Sequence, residues 1–343
     1  MKRTNISVFI PHIGCPHRCS FCDQRSISGA AHAPSPEEVA ALLEEQAPHL
    51  AERGMQAEIA FFGGSFTAVP REYMVSLLEC AHAAVQKHPE VYCGIRCSTR
   101  PDCVDNEIIA ILKKYGMTAV ELGAQSMSDE VLTANERGHS AEDVRRASRL
   151  IRESGISLGL QMMTGLYRDS EDAVRYTCRE FIALKPDAVR IYPTVILKHT
   201  RLGRLFESGE YQSFGFEQTV DLCAELLREF TAAGVRVIRM GLHASAEVES
   251  EMLGGVYHPA FREIVESRLF LNDAKQKLSA LKKGHYILYT DSRNISRAVG
   301  QKRGNIAALR ELGYDVDVKP LEGAYICLLY TSDAADKRSS VDL

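Results

Sequence analysis

Short apolar runs of strand length alternate with amphipathic stretches of helix length from the N-terminus to about residue 240. The runs at 6–13, 58–62, 91–97, 118–124, 157–163 and 188–192 predict strands. Between them, apolar positions recur at helical spacing over 36–53, 71–87, 106–115, 141–153 and 171–184. Ser35 reads as an N-cap, Pro36 as the first turn and Glu38 as the returning partner of a capping box. Ser140 reads as the cap of a later helix. Such β-α alternation predicts an α/β protein with a parallel sheet and right-handed crossovers. Six units with polar residues at the C-terminal ends of many strands fit a partial TIM-like (β/α)6 barrel better than a flat sheet.

Strand alternation then predicts which side chains face inward. Glu121, Gly123 and Gln125 share one face of the fourth strand; Arg96, Ser98 and Arg100 share one face of the third. Arg190 and Tyr192 share a face of the sixth. In parallel barrels ligands bind at the C-terminal ends of the strands, so this polar lumen is a candidate site. Glu121 and Tyr192 are its candidate catalytic side chains, Glu121 as a general base or as an anchor for Arg96. Cys93 and Cys97 fall on the outward face and read as packing thiols.

After about residue 245 the pattern changes. A barrel over 1–245 is expected to be followed by a small α/β extension over 246–326. That extension carries Lys282, Lys283, Arg293, Arg297, Lys302 and Arg303 against one acid, Asp291. The stretch is either a solvated face or a contact for a phosphate backbone. Residues 327–343 are polar, lack an amphipathic period and read like a translated sequencing adaptor, so they are expected to form a non-native tail.

The 343 residues are 45% hydrophobic and 25% charged, which excludes disorder over most of the length. A net charge of -4 provides no global polybasic field, so any nucleic-acid contact must be local. No apolar run is long enough to span a bilayer, and the first residues are too polar for a signal peptide; a cytoplasmic protein is expected. Ten cysteines are too sparse for a disulfide scaffold, yet three fall together at Cys15, Cys19 and Cys22.

Three thiolates at C-x3-C-x2-C leave one corner of a [4Fe-4S] cluster open to a chelating small molecule. A zinc site is the other reading, with His12 or His17 as fourth donor, but no second cysteine pair follows to complete it. Phe21, just before the last cysteine, is a further specific detail.

The motif resembles that of the radical S-adenosylmethionine enzymes. Gly63-Gly64-Ser65-Phe66 resembles their glycine motif after the second strand. Ser98-Thr99-Arg100-Pro101-Asp102, Glu121-Leu122-Gly123-Ala124-Gln125-Ser126, Asn135-Glu136-Arg137-Gly138-His139 and Arg190-Ile191-Tyr192-Pro193-Thr194 resemble the radical domain of the catalytic subunit of Elongator. The resemblance runs over roughly residues 5–270. It implies a [4Fe-4S] cluster on the three cysteines and S-adenosylmethionine at the open iron. It also implies cofactor contacts from Phe21, Gly63, Gly64, Ser65, Ser98, Arg100, Gln125, Arg137 and Arg190, and a reductant such as flavodoxin or ferredoxin. The expected reaction is reductive cleavage to a 5′-deoxyadenosyl radical for tRNA base modification, with tRNA held through Lys282, Lys283, Arg297, Lys302 and Arg303.

There are departures. The sequence shows no motif of an acetyltransferase domain, so none is expected; Ser98 stands where that family usually has an acidic residue, and Arg190 stands where it usually has lysine. The motifs also partly resemble oxygen-independent coproporphyrinogen oxidase. That alternative implies a small anionic substrate, held by arginines such as Arg96, Arg137 and Arg190. A non-catalytic iron–sulfur scaffold or electron carrier is the remaining reading.

Overall fold

The computed structural model describes residues 2–10, 15, 19–23, 32–243 and 245–330. They fall into two compact units, with divisions at Phe216/Glu217, Arg228/Glu229 and Pro259/Ala260.

The first unit is built on a seven-stranded parallel sheet in the order β1 (Lys2–Ile10), β2 (Met55–Gly63), β3 (Tyr92–Thr99), β4 (Met117–Gln125), β5 (Ser157–Thr164), β6 (Ala188–Pro193) and β8 (Arg236–Met240). Sequential neighbours joined by helical crossovers give an open, partial (β/α) barrel. The helices form where the sequence supplies caps and a buried stripe. Pro36–Glu52 has the expected capping box between Ser35 and Glu38, and buries Val39, Leu43, Ala47 and Leu50. Ser140 and Asp143 cap Ala141–Glu153 in the same way. Each fully buried Leu, Val or Phe of these stripes contributes about 1.5–3 kcal/mol.

The strand faces divide as the alternation predicts. Ile95, Cys97, Leu158, Leu160, Val189 and Ile191 are buried beneath the helices, while Arg96, Ser98, Gln161, Arg190 and Tyr192 on the other face are half-buried. Burial raises the Cys97 thiol far above its usual range, as suits a packing residue.

Two features differ from the expected outline. A seventh strand, β8, extends the sheet beyond six units; its five residues include Arg236 and Arg239, which break the apolar run. The barrel unit continues past residue 245, because β9 (Met252–Gly255) folds back antiparallel on β7 (Val195–Leu197).

In the second unit, the helix Phe261–Ser279 packs on a three-stranded sheet. β10 (Gly284–Thr290) lies between parallel β11 (Tyr314–Pro320) and antiparallel β12 (Cys327–Tyr330). Phe270, Leu278, Leu288, Leu309 and Val316 form its core. Residues 327–330, expected in the tail, therefore form an edge strand; 331–343 lie outside the described residues.

Candidate functional site

At the C-terminal ends of the strands lies a cavity of about 630 Å³. Cys15, Cys19, Phe21, Cys22, Gly63, Gly64, Ser65, Ser98, Arg100, Gln125 and Arg137 all line it. Asp23, Thr99, Gly123, Gln161 and His199 line it too, though the sequence motifs did not single them out as contacts. His12 and His17 lie outside the described residues.

The glycine turn closes one wall. Gly63 sits at φ +108°, and a Cβ there would meet the Ile10 carbonyl oxygen at 2.9 Å, so only glycine fits. Gly64 N–H donates to the same carbonyl at 2.7 Å. Ser65 Oγ is bonded to Thr99 Oγ1 at 2.9 Å and accepts from Arg100 N–H at 3.1 Å, which locks the end of β2 to the end of β3. Burial pushes the Cys15 thiol up, opposed by the Ser65 backbone N–H, supported by Cys19, and opposed again by the charges of Arg100 and Arg137.

The cationic wall is held from behind. Arg100, 4% exposed, donates from Nε and Nη2 to the two oxygens of Asp102, both at 3.0 Å, and from Nη2 to the Arg137 carbonyl. Asp102 thus explains the last position of the Thr-Arg-Pro-Asp motif. Arg137 donates to Cys19 Sγ at 2.9 Å and to the Gly123 carbonyl, and its guanidinium lies 5.8 Å from the Phe21 ring centroid. Gln125, the last residue of β4, sits at φ +67° and pairs with Met162 of β5 just after a register shift. Its Oε1 and the Nε of Arg137 are buried without a hydrogen-bond partner among the described residues.

Glu121, Tyr192 and Arg190 do not border the cavity. Glu121 is the anchor of a lumen network that adjoins the cavity through Gln161. Its carboxylate accepts Nε and Nη2 of Arg190, the latter at 2.9 Å, lies 3.3 Å from Arg96 Nη2, and accepts Gln161 Nε2 at 3.1 Å. Arg96 also reaches Glu58 at 3.0 Å. Gly159 makes this possible, since a Cβ there would meet Glu121 Cγ at 2.7 Å. A carboxylate whose oxygens are all engaged has no lone pair aimed at a substrate proton, so the structure matches the anchoring reading of Glu121 rather than the general-base one. Burial opposes the Arg190 charge, but Glu121 and Tyr192 outweigh it and hold the guanidinium protonated. Burial pushes the Tyr192 phenol up, against the Arg190 charge. Arg96 and Arg190 are therefore committed to acids rather than offered to a small anionic substrate.

The basic stretch of the second unit is not one patch. Arg293 pairs with Asp291, and Arg297 with Glu266 and Asn294. Lys282 and Lys283 precede β10, whereas Lys302 and Arg303 follow its C-terminal end.

The chain belongs to the Radical SAM superfamily, whose family model matches residues 9–181; a second model, described as the Radical_SAM C-terminal domain, matches 186–270. Members of that superfamily are enzymes that use a [4Fe-4S] cluster and S-adenosylmethionine. The chain is similar to human Elongator complex protein 3, at 29% identity over 245 residues, covering 66% of this chain and 44% of that one. It is also similar to a tRNA uridine(34) acetyltransferase of Methanocaldococcus infernus, at 27% identity over 255 residues, covering 63% of this chain and 48% of that one. The chain thus spans about half the length of these relatives. The fold matches that of an archaeal Elp3 from Methanocaldococcus infernus, with TM-score 0.62 and 21% identity over 82% of this chain and 65% of that one. No helix among the described residues is long and apolar enough to cross a membrane.

The donor set fits these cofactors. Three thiols border one cavity whose lining also includes Gln125, with an unpaired buried carboxamide oxygen, and the buried Arg137 guanidinium beside Cys19. Among the described residues no group of three or more His, Cys, Asp or Glu side chains is close enough together to hold a metal ion, so the three thiols share the cavity lining without forming a finished site.

Proposed function

We propose that this chain reductively cleaves S-adenosylmethionine at a [4Fe-4S] cluster held by Cys15, Cys19 and Cys22, and that the radical serves tRNA base modification. The observation that carries the reading is that the three thiols, the Gly63-Gly64-Ser65 turn, Gln125 and Arg137 all line one cavity. When bound, the reduced cluster supplies one electron that breaks the sulfonium bond, giving methionine and a 5′-deoxyadenosyl radical.

The protein's own residues bind and orient. The Gly63-Gly64 turn presents bare backbone to the methionine end of the cofactor. Arg137 supplies a buried positive charge for a carboxylate, and Gln125 Oε1 an acceptor for a hydroxyl or amino group. Phe21 lines the same cavity beside the Arg137 guanidinium and supplies an apolar surface there.

The tRNA part is supported by similarity to the named tRNA uridine(34) acetyltransferase and by the exposed Lys302–Arg303 pair. Anaerobic reconstitution should give about four irons per chain, and dithionite should then release 5′-deoxyadenosine, as this cluster type requires. A Cys15→Ala, Cys19→Ala, Cys22→Ala triple variant that still bound full iron and sulfide would overturn the cluster reading. Iron without cofactor cleavage would leave an electron carrier. Affinity for bulk tRNA should fall by about one log unit per log unit of salt for each phosphate neutralised. Changing Lys302 and Arg303 to glutamine should flatten that slope by about two, and the Lys282 and Lys283 pair should act independently.

A further inference from the structure

In the part of the cysteine loop that carries Cys19 and Cys22, Arg137 reaches Cys19 Sγ, Phe21 packs against the Ile196, Leu202 and Tyr211 cluster, and Ser20 fastens the backbone. Ser20 is fully buried and bonded through its backbone N–H, its carbonyl and its hydroxyl. Its N–H donates to the Asn135 carbonyl at 3.1 Å, and its carbonyl accepts from Leu202 N–H at 2.7 Å. Its hydroxyl donates to Asn135 Oδ1 at 2.6 Å.

Asn135 is also fully buried, and its Nδ2 donates to the carbonyls of Val131 at 2.8 Å and Tyr167 at 2.9 Å. These two carbonyls fix which end of the carboxamide is which, because a flipped amide would set oxygen against oxygen twice. Among the described residues the oxygen accepts from the Ser20 hydroxyl. Two residues further on, Arg137 reaches Cys19 Sγ, and two beyond that, His139 Nε2 meets the Ala124 carbonyl at 3.2 Å, next to Gln125. Alternate residues of 135–139 thus tie the cysteine loop to the end of β4.

We propose that Asn135 is a positioning residue for the cluster loop: through Ser20 it fixes the backbone between Cys19 and Cys22 on the cavity rim before any metal arrives. This rests on the cluster reading above. A loop ordered at folding loses no conformational freedom when the metal binds, so the bound cluster is retained more tightly. The residue touches neither thiol itself; its effect passes through Ser20.

The test uses the reconstituted holoenzyme and a competing chelator, following iron release rather than turnover. Ser20→Ala removes only the hydroxyl bond; Asn135→Ala removes the whole carboxamide. Tyr92→Phe serves as control, since it deletes a buried hydrogen bond to the Leu43 carbonyl at the opposite end of β3 from the cavity. Both loop variants should release iron about tenfold faster than wild type, the usual scale for lost outer-shell support of a metal site. Tyr92→Phe should release it at the wild-type rate. Wild-type retention in Ser20→Ala overturns the proposal even where Asn135→Ala fails to fold. Equal acceleration by Tyr92→Phe overturns it too, by showing only general destabilisation. A wild-type protein that takes up no cluster sinks the cluster reading instead, and the two failures are therefore distinct.

Discussion

Two polar clusters share the inner face of the barrel sheet. Around Glu121, a carboxylate with 2% side-chain exposure meets Arg190, Arg96 and Gln161, and Arg96 passes on to Glu58. Around the cysteines, the Gln125 oxygen and one Arg137 nitrogen are buried without partners and face a cavity. Polar composition alone does not separate them, since both combine arginine with an amide or an acid. What separates them is the state of their acceptors: among the described residues Arg96 Nε and Arg137 Nε are both buried without a partner, but the Glu121 oxygens are engaged and Gln125 Oε1 is not. A network with its acceptors engaged specifies structure, whereas buried groups left unpaired beside a cavity carry a cost that a ligand can relieve.

The strongest way to break this contrast is at Glu121. Glu121→Gln leaves Arg190 and Arg96, each about 13–14% exposed, without their shared charge. Removing one partner of a buried ion pair costs about 3–5 kcal/mol, which urea denaturation of the metal-free protein would register. If stability changed by less than about 1 kcal/mol while cofactor cleavage vanished, Glu121 would be a catalytic group and the contrast would fail.

The sequence made the barrel, the inward faces and most of the cavity wall readable, because each rests on local periodicity. Ser35 and Glu38 lie three residues apart, and the three cysteines fall within one loop. The pairings that decide saturation were hidden, because they join distant positions. Arg190 finds Glu121 across 69 residues, and Ser20 finds Asn135 across 115. Gly159 reads as an unremarkable strand residue until the register sets it against Glu121. Arg190 was therefore expected among the cofactor contacts, while Gln161, which bridges Ser98 and Glu121, escaped notice. The Lys282–Arg303 run looked continuous only because sequence order does not show that a strand intervenes.

A second test uses pH. His139 is buried behind the cysteine site, and burial, then the charges of Arg137 and Arg100, push its imidazole down to about 4. It is therefore neutral in the folded chain, with Nε2 donating to the Ala124 carbonyl. A depressed folded-state pKa means the contribution is fully present above the unfolded value near 6.5 and is lost as pH falls toward the folded value. The wild type should lose stability relative to His139→Gln across that window, by about 1.4 kcal/mol per pH unit at most and about 2 kcal/mol by pH 5. Parallel stability curves for the two proteins would show that burial and the two cations do not depress this ring.

The smallest change in stability is expected where the binding end is probed most directly, at Gln125. Its φ of +67° is a conformation that costs a non-glycine residue about 1–2 kcal/mol. Gln125→Gly removes that strain, while the extra freedom of glycine in the unfolded chain takes back about 0.5–1 kcal/mol. The two effects nearly cancel, so the midpoint of urea denaturation should barely move. Affinity for S-adenosylmethionine, measured by equilibrium dialysis on the reconstituted protein, should fall about three- to tenfold, the worth of one neutral hydrogen bond. The pair of results is opposite to that expected at Glu121: binding lost with stability kept, against stability lost at a residue outside the cavity. Were Gln125→Gly to destabilise the fold as Glu121→Gln does, the carboxamide would be part of the scaffold, and its unpaired oxygen would no longer mark a ligand.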